Sequence, residues 1–133
     1  MKKTLVPACV VLALALVIII GSQSFLSPCV HEDGSFGSCH WAGQALLGLG
    51  CALGIQAVLA LVLRGRQARL GVYLSMLPVC AVALLTPGTL ISLCRMATMR
   101  CQAVMKPAML LMFSLSLLAA VLGCLLAARG EKQ

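Results

Sequence analysis

The chain has 133 residues, of which 62% are hydrophobic and only 10% are charged. A soluble domain has roughly 45–50% apolar and about 25% charged residues, so a water-soluble fold of this length is excluded. The net charge of +7 does not indicate nucleic-acid binding, because the ten basic residues lie at the ends of apolar runs and form no stripe. We therefore expect one domain, residues 1–133, with the lipid bilayer as its main partner.

Four intervals without a charged residue predict four transmembrane helices. Each interval provides the ~20 apolar residues that a helix needs to cross a hydrocarbon core of about 30 Å. Helices are expected because a helical segment satisfies its backbone hydrogen bonds within itself. The predicted spans are Thr4–Gly21, Ala42–Leu63, Leu70–Thr86 and Pro107–Ala128.

The first span also has a feature of a cleaved signal peptide, because Lys2 and Lys3 precede its apolar run. However, the run is long for a signal peptide and no Ala-x-Ala site follows it. Cys9 lies too near the start of the chain to be a lipoprotein cysteine. We therefore expect the first helix to remain uncleaved.

The basic residues predict the orientation, because cytoplasmic loops of membrane proteins are enriched in Lys and Arg. One side of the predicted membrane carries seven basic residues and the other carries three. This difference predicts that both termini and the turn 64–69 lie in the cytoplasm, and that loops 22–41 and 87–106 lie outside. The seven are Lys2, Lys3, Arg64, Arg66, Arg69, Arg129 and Lys132; the three are Arg95, Arg100 and Lys106.

The two halves of the chain have a similar order of features. Ser27-Pro28-Cys29 recurs as Ser92-Leu93-Cys94, and a second cysteine follows in each loop, at Cys39 and Cys101. Each half contains two helices, so the two units would have the same direction. The predicted fold is an all-α integral membrane protein, a four-transmembrane-helix bundle built from two parallel helix-hairpin repeats.

Small residues recur at four-residue spacing on the second and fourth predicted helices, and such stripes allow close helix contact in lipid. Gly50 and Gly54 form one stripe, and Ser116 and Ala120 begin the other. We expect the stripes to pack the helices of one chain together, with homodimerisation as the alternative. Gln56 is a neutral polar residue within a span, as is Gln44, and we expect both to hydrogen bond between helices.

The eight cysteines form two groups. Those within the predicted spans are expected to act as small buried hydrophobes. Those in the predicted outer loops would face a compartment that favours disulfides in bacteria. The span cysteines are Cys9, Cys51, Cys80 and Cys124; the loop cysteines are Cys29, Cys39, Cys94 and Cys101.

Three interpretations of the loop cysteines remain open. In the first, disulfides Cys29–Cys39 and Cys94–Cys101 stabilise two short loops, although pairing across the loops is an alternative. In the second, the same four cysteines are catalytic, as in quinone-linked membrane disulfide oxidoreductases of similar topology. Against this, neither pair is Cys-x-x-Cys and the second helix has no evident quinone-site arginine.

The third interpretation is a site for a soft metal, copper or zinc, in the outer loops. The spacing of the candidate ligands matches no tight metal site. These candidates are Cys29, His31, Cys39, His40, Met96, Met99 and Met105.

The sequence contains no motif that indicates an enzyme. We find no glycine-rich phosphate loop, no His-Glu-x-x-His and no defensible Ser-His-Asp arrangement. No cofactor is predicted, and a quinone or a soft metal would be expected only under the alternatives above. The leading hypothesis is therefore a non-enzymatic accessory or interaction protein.

The first loop contains an ordered polar signature that resembles a known family. Glu32-Asp33-Gly34 lies between two cysteines and is followed by Cys39-His40-Trp41 and Gly43-Gln44-Ala45. Together with Cys29, Phe36, Cys94, Met99, Cys101 and Pro107, these residues resemble the bacterial family catalogued as domain of unknown function 4418. The chain departs from the family pattern at Ala42, where the family has threonine, and at Leu46, where the family has an acidic residue.

The resemblance covers nearly the whole chain, and its Cys-His-Trp cluster is fairly specific. It implies a small four-helix protein of the bacterial cytoplasmic membrane and brings no established activity. A gene position beside export-type ABC transporters would imply an accessory role, with a membrane transporter as the partner.

Overall fold

A computed structural model describes residues 2–24, 38–86, 89, 104 and 106–130, without the side chains of residues 24, 38–40 and 42. Four helices form nearly all of this part of the chain. Each is long and apolar enough to cross a membrane, which confirms the prediction of an all-α chain with four candidate spans. The helices are α1 (Lys2–Ser24), α2 (Ser38–Val62), α3 (Arg66–Leu85) and α4 (Lys106–Arg129).

The four helices are arranged as a ring in which each helix packs against two neighbours. The contacting pairs are α1–α2, α2–α3, α3–α4 and α1–α4. Residues 63–65 alone connect α2 to α3, and so short a connection makes two helices antiparallel neighbours. The start of α1, the start of α3 and the end of α4 meet at one end of the bundle, which we call the basic end because Lys2, Lys3 and Arg129 lie there.

The centre of the ring is a close-packed apolar core. Its largest fully buried side chains include Tyr73, Phe113, Met76 and Leu53, which come from α2, α3 and α4. The outward faces are apolar as well: Val6, Ile55 and Leu118 are each at least 60% exposed. Helices that are apolar on every face are typical of membrane spans.

Two glycines allow α2 to approach α1 closely. A Cβ on Gly50 would lie 2.9 Å from Ile18 Cγ2, and one on Gly54 would lie 3.6 Å from Ala15 Cβ. The glycine stripe of α2 therefore packs against α1. Ser116 and Ala120 of the α4 stripe are buried in the core.

Helix α3 begins at Arg66 and not at Leu70, where the predicted span begins. The predicted span begins after Arg69, the last charged residue of the turn. Arginine is a good helix former, so the helix includes this part of the predicted turn. The backbone N–H of Arg69 donates to Gly65 O (3.0 Å), which closes the first turn of α3. As a result, Arg66 and Arg69 belong to the first turn of α3, at the basic end.

We expect Gly123→Ala to destabilise the bundle by about 1–3 kcal/mol, the usual cost of overpacking. The new Cβ would lie 2.6 Å from two ring carbons of Tyr73, and this ring is fully buried. Thermal unfolding of the purified variant in one detergent measures the effect.

Gly48→Ala is the matched control, because no atom lies within 4 Å of its new Cβ. This variant should be unchanged or slightly more stable, since alanine is the better helix former. Equal unfolding temperatures for the two variants would contradict the contact between Gly123 and Tyr73.

Candidate functional site

Most of the loop residues singled out from the sequence lie outside the described residues. The two proposed disulfides and the proposed metal site therefore remain predictions. The residues concerned are Cys29, His31, Glu32, Asp33, Gly34, Cys94, Met96, Met99, Cys101 and Met105.

The Cys39-His40-Trp41 cluster forms the start of α2, because the helix begins at Ser38. Trp41 is 64% exposed, which is high for so large an apolar side chain. Gln44 is also exposed and lies three residues later, so it shares a helix face with Trp41. The outward face of α2 therefore begins with an aromatic and an amide side chain at the end opposite the basic end.

Leu46 lies on the other face of α2 and is fully buried. This position therefore contributes an apolar side chain to the core. The exposed Trp41 and Gln44 lie on the opposite face of the helix.

The four span cysteines are free thiols in two different environments. Cys80 is buried in the core. Cys124 is half-buried and packs against the core, as expected for small hydrophobes. Cys9 and Cys51 are exposed on the outward faces of α1 and α2. The expectation of burial was wrong for these two, because small residues are frequent on both faces of α1 and α2 and their sequence pattern does not distinguish the faces.

Two buried serine hydroxyl groups hydrogen bond to the backbone of their own helix. Ser22 Oγ donates to Ile19 O (2.9 Å), and Ser116 Oγ donates to Met112 O (2.9 Å). Such bonds satisfy the hydroxyl group without a partner from another helix. These side chains therefore serve the scaffold.

Gln56 forms the interhelical hydrogen bond that its sequence position predicts. Its Nε2 donates to Ser75 Oγ across the α2–α3 interface (3.2 Å), and Ser75 Oγ in turn donates to Val72 O (2.7 Å). Gln56 Oε1 is buried without a hydrogen-bond partner among the described residues. The bond ties α2 to α3 midway along the bundle.

A network of polar contacts holds the basic end together, and Arg69 is at its centre. Arg69 is only 7% exposed. Its Nε donates to Leu63 O (2.6 Å) in the turn before α3, and its Nη1 donates to Thr4 Oγ1 (3.2 Å) on α1. One guanidinium therefore joins α1 to the α2–α3 turn.

Tyr73 and Arg66 extend this network. Tyr73 Oη donates to Thr4 O (2.7 Å), one turn of α3 beyond Arg69. Arg66 Nη1 donates to Gly130 O just after α4. The start of α3 is thereby bonded both to the start of α1 and to the end of α4.

Sequence reasoning used Arg66 and Arg69 only to orient the chain. A signal for a further role was present, because Arg69 and Tyr73 lie four residues apart and so share one helix face. Their partners Thr4 and Gly130 are distant in sequence, and no local pattern connects them.

We expect Tyr73→Phe to cost about 0.5–1.5 kcal/mol of stability, the usual net value of one hydrogen bond.

Arg69→Lys should also destabilise the bundle, because lysine keeps the charge but not the planar fork that reaches two acceptors. Arg64→Lys is the matched control, since Arg64 is exposed. Unfolding temperatures of the three variants measure the effect, and an unchanged value for Arg69→Lys would show that charge alone suffices.

Comparison with known proteins identifies one family. The model of the family described as Domain of unknown function (DUF4418) matches residues 11–126. No curated protein and no solved structure matches. The matched range begins within α1 and ends within α4, so it includes α2, α3 and both segments that contain the loop cysteines.

Proposed function

This chain belongs to the DUF4418 family, and we propose that it is a non-enzymatic membrane protein that acts by contacting another membrane protein. Its four helices would cross the bacterial cytoplasmic membrane with both termini in the cytoplasm. Its two outer loops would each be closed by a disulfide, Cys29–Cys39 and Cys94–Cys101. A membrane transporter is the class of partner that the family resemblance suggests.

Two features support the placement in the membrane. The outward faces of all four helices are apolar, and lipid is the solvent that such surfaces require. Seven basic residues lie on the side of the termini against three on the other side, which favours the cytoplasm for the basic end. The packing of α1 on α2 and of α3 on α4 is consistent with two parallel hairpin repeats.

The observation that carries the proposal is the exposed start of α2. Trp41 is 64% exposed, next to a cysteine and a histidine in sequence, and Gln44 extends the same face. Tryptophan is enriched at the centres of protein interfaces because its ring offers a large contact area with one hydrogen-bond donor. A disulfide from Cys39 to Cys29 would hold the first loop beside this surface.

The interior of the bundle supports a scaffold role. Its buried serine hydroxyl groups bond to their own helices, and Arg69 and Tyr73 bond to backbone and side-chain groups of α1 and the turn. These polar groups are thus engaged in holding the helices together.

A photo-crosslinking amino acid at Trp41 is expected to form a discrete adduct with one protein in native membranes. The same probe at Ile55 is the matched control, because Ile55 is 63% exposed on the same face of α2 but farther from its start. Adducts are measured by gel shift and mass spectrometry.

Lipid adducts alone at both positions would contradict the proposed contact. In that outcome Trp41 would act only as an aromatic anchor at the membrane interface, which is the common alternative role of exposed tryptophan in membrane proteins.

The second candidate function is a thiol–disulfide oxidoreductase. The position of Cys39 favours it, since this is the second residue of α2 and reactive cysteines are frequent at helix N-termini. The two candidates differ in the lability of the disulfides, because structural disulfides resist reduction by the glutathione pool and catalytic ones exchange readily.

We expect both loop disulfides to survive mild reductant in native membranes. The measurement is labelling of Cys29, Cys39, Cys94 and Cys101 with an impermeant alkylating mass tag over graded reductant concentrations. Cys51 is the internal negative control, because it is a free thiol that would lie within the span of α2, where an impermeant reagent does not reach it. A pair that exchanges at low reductant concentration would overturn the structural assignment in favour of the oxidoreductase.

A further inference from the structure

The basic end of the bundle contains a cavity of about 240 Å³ that no role considered so far uses. This volume exceeds the ~30 Å³ that a water molecule occupies in the liquid, so the cavity can admit a larger polar group. Five cationic side chains line it, and they come from α1, the α2–α3 turn, α3 and α4. They are Lys3, Arg64, Arg66, Arg69 and Arg129.

We propose that this cavity binds the phosphate of an anionic phospholipid head group. The proposal rests on the helices crossing a membrane and not on the protein partner proposed above. Basic pockets between transmembrane helices are a recognised type of site for anionic head groups.

The charge of the cavity favours an anion. Five cations in one cavity repel one another unless a negative group lies between them. The chain has only three acidic residues, Glu32, Asp33 and Glu131, and no acidic residue is present among the residues that the structure describes. The described part of the chain therefore supplies no counter-charge to the cavity, and we expect a ligand to supply it.

Two of the arginines are already held in place. Arg69 is fixed by bonds to Leu63 O and Thr4 Oγ1, and Arg66 donates to Gly130 O. A guanidinium has five N–H groups, so each arginine retains donors for a further acceptor. Arginine forks match the geometry of phosphate oxygens, and side chains fixed in advance lose less entropy on binding.

An apolar groove continues from this cavity along the outside of α1 and α4. The groove has a volume of about 570 Å³ and shares Lys3 and Leu126 with the basic cavity. Its other walls include Val6 and Val10 of α1 and Leu118 and Leu122 of α4. A ligand with a charged head and an apolar tail would fill both spaces.

The length of the groove fits an acyl chain in one leaflet. It extends along α1 from Lys3 to Leu14. At about 1.5 Å per residue this distance is roughly 16 Å, close to half of the ~30 Å hydrocarbon core. The apolar groove is the reason to favour a phospholipid over a soluble phosphate.

Native mass spectrometry of the purified full chain tests the proposal with four probes: phosphatidylglycerol, phosphatidylcholine, diacylglycerol and glycerol phosphate. We expect phosphatidylglycerol to bind most tightly, and to bind less as salt is raised, because the contacts are ionic. Equal binding of phosphatidylglycerol and diacylglycerol would overturn the proposal, since the phosphate would then contribute nothing. Glycerol phosphate binding as tightly as phosphatidylglycerol would overturn the assignment to a lipid.

Arg66→Gln/Arg129→Gln removes two exposed cations from the cavity and should weaken phosphatidylglycerol binding by about 30-fold. Lys2→Gln/Lys106→Gln is the matched control, because it removes the same charge from residues that do not line the cavity. Equal weakening in both double variants would overturn the site. Arg66→Lys/Arg129→Lys keeps the charge and should retain part of the affinity, which separates ligand contacts from a loss of folding.

Val10→Trp tests the groove, because Val10 lies in its wall and is 43% exposed. The added ring should weaken the binding of long-chain phosphatidylglycerol more than that of a short-chain form, and equal effects would overturn the role of the groove.

Glu131→Gln tests the carboxylate next to Gly130 in sequence. Phosphatidylglycerol binding that occurs only in Glu131→Gln would overturn the proposal, since the chain would then supply its own anion.

Discussion

The contact of Tyr73, in α3, with two other helices, α1 and α4, is the interaction on which the bundle depends most. Its ring lies against the backbone of Gly123 in α4, and its hydroxyl group donates to Thr4 O in α1. In lipid, apolar surface alone does not drive helices together, so association depends on close packing and on hydrogen bonds. Tyr73 provides both kinds of contact. Arg69, one helical turn before Tyr73 on α3, adds hydrogen bonds to α1 and to the connection between α2 and α3.

The sequence was sufficient to predict the number and type of the helices, because the absence of charge over a long interval is a property of each segment alone. It was less informative about helix ends and neighbours. Arg66 is predicted to lie in the turn 64–69, although α3 begins there. The partner of Gly50 was also not predictable, since small residues are frequent on every helix and the packing on Ile18 depends on helix rotation.

The two ends of the molecule differ in how far sequence reasoning reached. The polar signature of the first loop is contiguous in sequence. Trp41 and Gln44 could therefore be singled out before their exposure on one face of α2 was known. The basic end is assembled from Lys3, Arg66 and Arg129, which are far apart in the chain. Each of these residues follows or precedes an apolar run in the sequence, but only the ring of helices brings them to one cavity.

The closed ring has a consequence for biosynthesis. Helix α1 packs on α2, which follows it in the chain, and also on α4, the last helix to be synthesised. Until α4 packs against them, one side of α1 and the ring of Tyr73 lack the partner that covers them. Ring closure thus follows the synthesis of α4, and a nascent chain arrested before α4 would expose an open three-helix intermediate.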